Sequence, residues 1–277
     1  MPRTIRTLTA SEVETLVDWA AREGWNPGIG DAAALRAADP EGFIGAFVDG
    51  EMAAGISAVA YGPGFGFIGL YICRPDRRGE GHGKAVWEAG MARLGNRIIG
   101  LDGVAEQRAN YQRMGFVPAY ETVRHSGRPA GLPEGGDVRP VTAADMAGIF
   151  AYDRQCFPAA REAFLREWLL PPRIALLSAG SNGIAGYGVA RRCREGFKVG
   201  PLFADRTDLA LAMVADLSDA IAGEELHIDV PAGQVQFTAM LQAAGMVPGF
   251  TTTRMYKGGR PGNAQSTVFG ITTLELG

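Results

Sequence analysis

Nowhere in this chain do apolar residues run for the roughly 18 positions that a membrane-spanning helix requires, and the opening MPRTIRTLTASEVE lacks the apolar centre of a secretory signal. Cysteine is scarce: Cys73, Cys156 and Cys193 are odd in number, far apart and in no Cys-x-x-Cys spacing, so neither a disulfide framework nor a thiolate zinc site is indicated. The histidines, His82, His125 and His227, are equally dispersed, and no metal is expected. Positive charge is not in excess either. A net charge of -3 and a sequence pI near 5.7 argue against nucleic acid as an electrostatic partner. These absences leave a cytoplasmic protein with no membrane or nucleic-acid partner as the expectation. What the chain does have is 277 residues, 47% of them hydrophobic and 21% charged, enough for two domains of ordinary size with well-filled cores.

The most informative stretch is Phe67 to Lys84, FIGLYICRPDRRGEGHGK. An apolar strand (Phe67 to Cys73) leads through a turn opened by Pro75 into a glycine-dense loop (Arg78 to Gly83) and then a helix. That order directs several backbone N–H groups and the positive end of a helix dipole at one point, which suits an anion such as a phosphate. Glycines at 79, 81 and 83 let the backbone come close to it. Two better-known glycine motifs fail here. Gly64-Phe65-Gly66-Phe67-Ile68-Gly69 has the G-x-G-x-x-G spacing but precedes a strand instead of following one. Gly83-Lys84 looks like the end of a P-loop, yet Arg78 stands where its first glycine belongs and Ala85 replaces the Ser or Thr that would hold magnesium.

What remains, Arg78-x-x-Gly81-x-Gly83 after a strand and a Pro-Asp turn, resembles the acyl-CoA pyrophosphate loop of the GNAT superfamily of N-acetyltransferases. A second segment, Tyr111-Gln112-Arg113-Met114-Gly115-Phe116, is similar to that superfamily's Tyr-x-x-x-Gly-Phe. The resemblance implies an α/β (α+β) fold, a mixed and mostly antiparallel twisted sheet flanked by helices.

Ahead of that stretch, Ile5 to Leu8 reads as a strand, and Thr9 with Glu12 as a capping box for a helix striped by Val13, Leu16, Val17 and Ala20. The loop Trp25 to Gly30 is rich in Gly and Pro, with Asp31 as a cap for the short helix after it. Phe43 to Val48 and Met52 to Tyr61 are strands joined by an Asp49-Gly50 turn. After the glycine loop comes a helix whose Trp87, Met91 and Leu94 share one face. A strand follows from Arg97 to Leu101, ending at Asp102-Gly103; then a helix around Tyr111, and a strand from Val117 to Val123.

The sequence then repeats itself. Gly115-Phe116-Val117-Pro118 through Arg124 is echoed by Gly245-Met246-Val247-Pro248 through Arg254, and Ile5-Arg6-x-x-Thr9-Ala10-x-Glu12 by Val138-Arg139-x-x-Thr142-Ala143-x-Asp145. Offsets of 130 and 133 residues mean two copies of one fold. The expected organisation is a first GNAT-like domain over 1–128, a linker over 129–137 and a second GNAT-like domain over 138–277. The copies are unequal. Gly69 to Cys73 aligns with Gly200 to Ala204, but Asp205-Arg206-Thr207-Asp208-Leu209 then offers no glycine, and Leu241 stands in the place of Tyr111. Two carboxylates there would repel a pyrophosphate, so the first copy is expected to be active and the second degenerate. Thr267 to Leu276 reads as a strand with no counterpart in the first copy, expected to help complete a sheet that both copies share.

Carried over residue by residue, the resemblance implies acetyl-CoA as cosubstrate, its pantetheine pairing with Tyr71-Ile72-Cys73 and its pyrophosphate meeting the amides of Gly79, Gly81, His82, Gly83 and Lys84. Arg78 would supply loop geometry and positive potential, and Cys73 packing. The implied reaction is direct attack of a primary amine on the thioester in a ternary complex, with Tyr111 protonating the leaving thiolate. Asp102 and Glu106 are the nearest carboxylates for a base, or Tyr71 could hold a water relay. Trp25, Asn26 and Tyr61 border the expected acceptor site, which suits a small-molecule amine. Val104 departs from the pattern, where the superfamily often has Asn. Another acyl group, or a non-catalytic acyl-CoA sensor, would fit the same motifs, and the chain could act as a monomer or a homodimer.

Overall fold

The computed structural model describes residues 3–133, 137–181 and 183–277. In chain order its elements are β1 (Arg3–Thr7), α1 (Ala10–Arg22), α2 (Asp31–Ala38), β2 (Phe43–Val48), β3 (Glu51–Tyr61), β4 (Phe65–Cys73), α3 (His82–Leu94), β5 (Ile98–Val104), α4 (Arg108–Arg113) and β6 (Val117–Gly127). The second half follows with β7 (Val138–Pro140), α5 (Met146–Cys156), α6 (Glu162–Trp168), β8 (Ile174–Gly180), β9 (Gly183–Arg192), β10 (Phe197–Ala204), α7 (Thr207–Ala220), β11 (Leu226–Pro231), α8 (Val235–Ala243), β12 (Val247–Lys257) and β13 (Val268–Gly270). The linker expected over 129–137 includes residues 134–136, which lie outside the described residues.

The duplicated motifs fold alike. Thr9 and Glu12 close a capping box at the start of α1, and Arg6 grips the Glu12 carboxylate with two hydrogen bonds of 2.6 and 2.8 Å. In the second copy Thr142 and Asp145 form the same box, and Arg139 holds Asp145 at 2.6 and 2.8 Å. The Asp49-Gly50 turn has both residues at positive φ, the geometry that matches the twist of a two-residue hairpin. Asp31 departs from expectation. Gly30 occupies the cap position, and the buried Asp31 carboxylate instead accepts from Gly28 N and from Arg191 of the second copy.

All thirteen strands among the described residues belong to one sheet, in the order β1-β2-β3-β4-β5-β12-β6-β11-β10-β9-β8-β7, with β13 added on β10. The order shows a strand exchange. The last strand of the first copy, β6, pairs with β11 of the second, while the last strand of the second copy, β12, pairs with β5 of the first. The two exchanged strands also pair with each other. Asp102 therefore sits inside β5, opposite Arg254 of β12, and the strand runs on to Val104 instead of ending at Asp102-Gly103. Two buried ion pairs lock the exchange and are equivalent under the repeat: Arg254 to Asp102 (2.7 and 2.8 Å) and Arg124 to Asp229 (2.8 and 3.0 Å). Both are two-point contacts, the arrangement that best offsets the cost of removing the charges from water.

One face of the sheet carries a single apolar core that joins α1 and α2 to α5 and α6 across both copies. On the other face each copy has its own core, under α3 in the first and under α7 and α8 in the second. The expected C-terminal strand Thr267 to Leu276 is mostly not a strand. Only Val268–Gly270 is, and residues 271–277 run as a folded tail through the middle of the molecule. Two glycines aligned by the repeat make room for it. A Cβ on Gly69 would lie 2.2 Å from the Glu275 carbonyl, and one on Gly200 2.3 Å from that of Thr272. No helix among the described residues is long and apolar enough to cross a membrane.

Candidate active site

The site begins where β4 and β5 part. They pair in parallel only from Phe65–Ile68 against Ile98–Leu101, and beyond that point β5 keeps only β12 beside it. At the same point β4 bulges against β3, with Leu70 at φ +46°, so that two residues oppose one and the side-chain alternation shifts. Tyr71 and Cys73 then face α3, and Leu70 and Ile72 the shared core. The freed length of β4, from Gly69 to Cys73, borders a cavity of about 620 Å³. An extended ligand would find an unpaired strand edge there.

At one end of the cavity stands the glycine loop. Gly79 and Gly81 take positive φ (84° and 82°), and open space surrounds the Cβ position of Gly79. Gly81 ends the loop in a left-handed conformation that launches α3. The N–H groups of His82, Gly83 and Lys84 belong to the first helical turn, where no intrahelical acceptor exists. Arg78 donates to the Cys73 carbonyl and to Glu23 (2.7 Å), and Arg3 to the Gly81 carbonyl, so side chains from three elements hold the loop's shape. His82 is buried with Nε2 on Glu80 and Nδ1 unpartnered, and Lys84 projects into solvent. The loop thus has the open backbone and dipole that a pyrophosphate requires.

Tyr111, on α4, lines the same cavity and stacks on Trp87 (5.6 Å between centroids, 28° between planes), with Tyr71 also against that indole at a tilt. Burial pushes the Tyr111 phenol up to about 12, and burial raises Tyr71 as well. A phenol so placed stays protonated at neutral pH and can give its proton to a strong base formed beside it. Burial also raises the Cys73 thiol, whose sulfur rests 3.5 Å from the Arg77 carbonyl. That is the setting of a packing residue, not of a nucleophile.

On the acceptor side the outcome is mixed. Trp25, Asp102 and Glu106 line the cavity. Burial raises the Asp102 carboxyl above its ordinary value even with the Arg254 guanidinium against it, and both its oxygens are taken by Arg254. Its counterpart Asp229 makes the same contact with Arg124 in the second copy, so what the two copies share at this position is the ion pair. Asn26 is drawn elsewhere: its amide clasps the Glu195 backbone through both its oxygen and its nitrogen. Tyr61 is buried away from the cavity, its hydroxyl donating to the Leu276 carbonyl and its ring against Phe65 and Phe157.

Sequence reasoning missed the walls that the second copy supplies. Phe250 and Thr252 reach the cavity on the exchanged β12, and Leu274 and Glu275 on the tail. The aligned pair Gly69 and Gly200, small residues in otherwise bulky strands, was the one available signal that another backbone passes close by. In the second copy the equivalent opening is closed by the protein itself. There β13 lies on β10 and the Ile271 N–H bonds to Asp229 O of β11, filling the place between the parting strands. Beyond it, Tyr152 ties down Asp205, and Arg206 pairs with Asp208 where the first copy has glycines.

Comparison with known proteins agrees with this architecture. The profile described as "Acetyltransferase (GNAT) family" matches residues 10–116, and that of an "Acetyltransferase (GNAT) domain" matches residues 149–270. A holothin acyltransferase of Pseudoalteromonas sp. (strain SANK 73390) is 30% identical over 99% of this chain and 94% of its own length. Among solved structures, one from Pyrococcus horikoshii superposes with a TM-score of 0.82 at 21% identity, covering 99% of this chain and 96% of that one. A tandem GNAT protein from the clavulanic acid biosynthesis pathway gives 0.60 at 12% identity, over 94% and 99% of the two chains. At these identities the structures speak for the fold. The chain belongs to the GNAT family of acyltransferases, as a tandem of two such domains.

Proposed function

We propose that the first copy transfers an acetyl group from acetyl-CoA to the primary amine of a small molecule, and that the second copy takes no cofactor. The observation that carries this reading is the contrast between the copies: a cavity of about 620 Å³ between parted strands in one, and β13 in the same place in the other. Bound there, an acyl-CoA supplies the activated thioester. The glycine loop from Gly79 to Lys84 would take its pyrophosphate, and the free edge of Tyr71-Ile72-Cys73 its pantetheine arm. A backbone N–H at the β4 bulge can receive the developing oxyanion, and Tyr111 can return a proton to the departing sulfur. Trp25, Phe250 and Thr252 would bound the acceptor. The relative named for holothin supports a small-molecule acceptor, and its name leaves the acyl chain open.

The test is steady-state release of CoA thiol from acetyl-, butyryl- and hexanoyl-CoA with a panel of small amines. Turnover that falls as the acyl chain lengthens is the expected result. Preference for a longer chain would replace acetyl with that acyl group, and acyl-CoA binding without turnover of any amine would favour a sensor.

A further inference from the structure

An amine that attacks a thioester must shed a proton on the way, and both oxygens of Asp102 already accept from Arg254. The structure assigns that proton to Glu275, a residue of the C-terminal tail that belongs in sequence to the second copy. This assignment rests on the acyltransferase reading of the first copy.

Glu275 lines the first copy's cavity together with Tyr111, yet is only 5% exposed. Its backbone is fixed on both sides. The N–H donates to Thr273 Oγ1, and the carbonyl accepts from Ser57 Oγ and fills the space that Gly69 leaves open. The charged groups that face it are Asp102, Arg124, Arg191 and Lys198. Each cation among them is engaged elsewhere: Arg124 by Asp229, Arg191 by Asp31, and Lys198 by the Trp25 carbonyl. Among the described residues, none comes within the 4.0 Å of an ion pair with Glu275. Those cations stand near Glu275 without pairing with it, and an ammonium group in the cavity would give the buried carboxylate a direct partner. The same carboxylate can then accept its proton.

The step balances. For an acceptor that arrives as an ammonium, Glu275 first takes one proton and passes it to solvent. As the neutral nitrogen attacks, the C–N bond forms and the C–S bond breaks. Glu275 takes the proton that leaves nitrogen, and Tyr111 gives one to the thiolate. Proton return from Glu275 to Tyr111 through water restores both, with amide and free CoA thiol as products.

The experiment compares the full chain with Glu275→Gln, using acetyl-CoA with benzylamine, a cation at pH 7, and with aniline, which is neutral there. Calorimetry with acetyl-CoA comes first: absence of binding to the wild type would sink the acetyl-CoA reading of the first copy, independently of Glu275. With binding intact, kcat/KM for benzylamine is expected to fall on the order of 100-fold in Glu275→Gln, with a clearly smaller loss for aniline and an unchanged affinity for acetyl-CoA. Equal losses for both amines, or none, would overturn the assignment. If the wild type turns over neither amine, benzylammonium binding to the acetyl-CoA complex decides: weaker binding in the variant supports it, and equal binding overturns it. Should Glu275→Gln lose the wild-type circular dichroism, Glu275→Asp replaces it, with the same selective but smaller loss expected.

Discussion

Three residues test the proposed acid and the two buried ion pairs, and each can be changed alone. Tyr111→Phe would remove the proton proposed for the leaving thiolate while keeping the ring stacked on Trp87, so kcat should fall roughly 100-fold or more with acyl-CoA affinity retained; steady-state kinetics beside calorimetry separates the two. Burial holds the Tyr111 phenol up to about 12, so its acid form persists below that value and is lost only as pH rises through it. The kcat profile should therefore show no fall from this group between pH 7 and about 10, and a fall centred near the free-tyrosine value would contradict the assignment. Asp102→Asn and Asp229→Asn should behave as twins. Each strands a buried guanidinium, and losses of about 3 to 5 kcal/mol in urea unfolding are expected from both. A variant Asp102→Asn that keeps full stability and loses only activity would return Asp102 to the role of base. That carboxylate was visible in the sequence as the end of a strand near the site, but its partner lies 152 residues away, and no local pattern announces such a contact.

At the scale of elements, the parts that were legible are those whose physics is local. The strand, glycine loop and helix from Phe67 to Lys84, the helix bearing Tyr111 and the two capping boxes all depend on residues a few positions apart. Glu12 offers a direct check. The Arg6 guanidinium and the Thr9 backbone hold its carboxyl down, from 4.5 to about 2, so its contribution is complete above pH 4.5 and is lost as pH falls toward 2. The difference in melting temperature between wild type and Glu12→Gln should be present at pH 6 and shrink steadily through that window; a constant difference would remove the charge from the explanation. The exchange of β6 and β12 was not legible, because the alternation of a strand tells which face is buried and not which neighbour it will have. The tail was misread for a related reason: Thr267 to Leu276 has strand-like residues, yet from Ile271 onward its carbonyls meet glycines of β4 and β10 in place of a ladder. Gly69→Ala and Gly200→Ala should each destabilise the protein by about 1 to 3 kcal/mol and make the tail sensitive to protease, as mass spectrometry of limited digests would show.

The whole molecule is one sheet assembled from two copies that each complete the other. Residues 1–128 alone would lack β12, one of the two neighbours of β5, and 138–277 alone would lack β6, one of the two neighbours of β11. Neither half is expected to give a monomeric folded domain by circular dichroism and gel filtration, whereas the two halves expressed together should reassemble. The proposed division of labour follows from the same arrangement. The second copy has spent its own cleft on β13 and the tail, and with that tail it builds a wall of the first copy's cavity. The most direct measurement is a calorimetric titration of the full chain with acetyl-CoA, repeated on Gly81→Asp. One site per chain, lost in the variant, is the expected result; two sites, or one site that survives Gly81→Asp, would place the cofactor elsewhere and contradict the single open cleft.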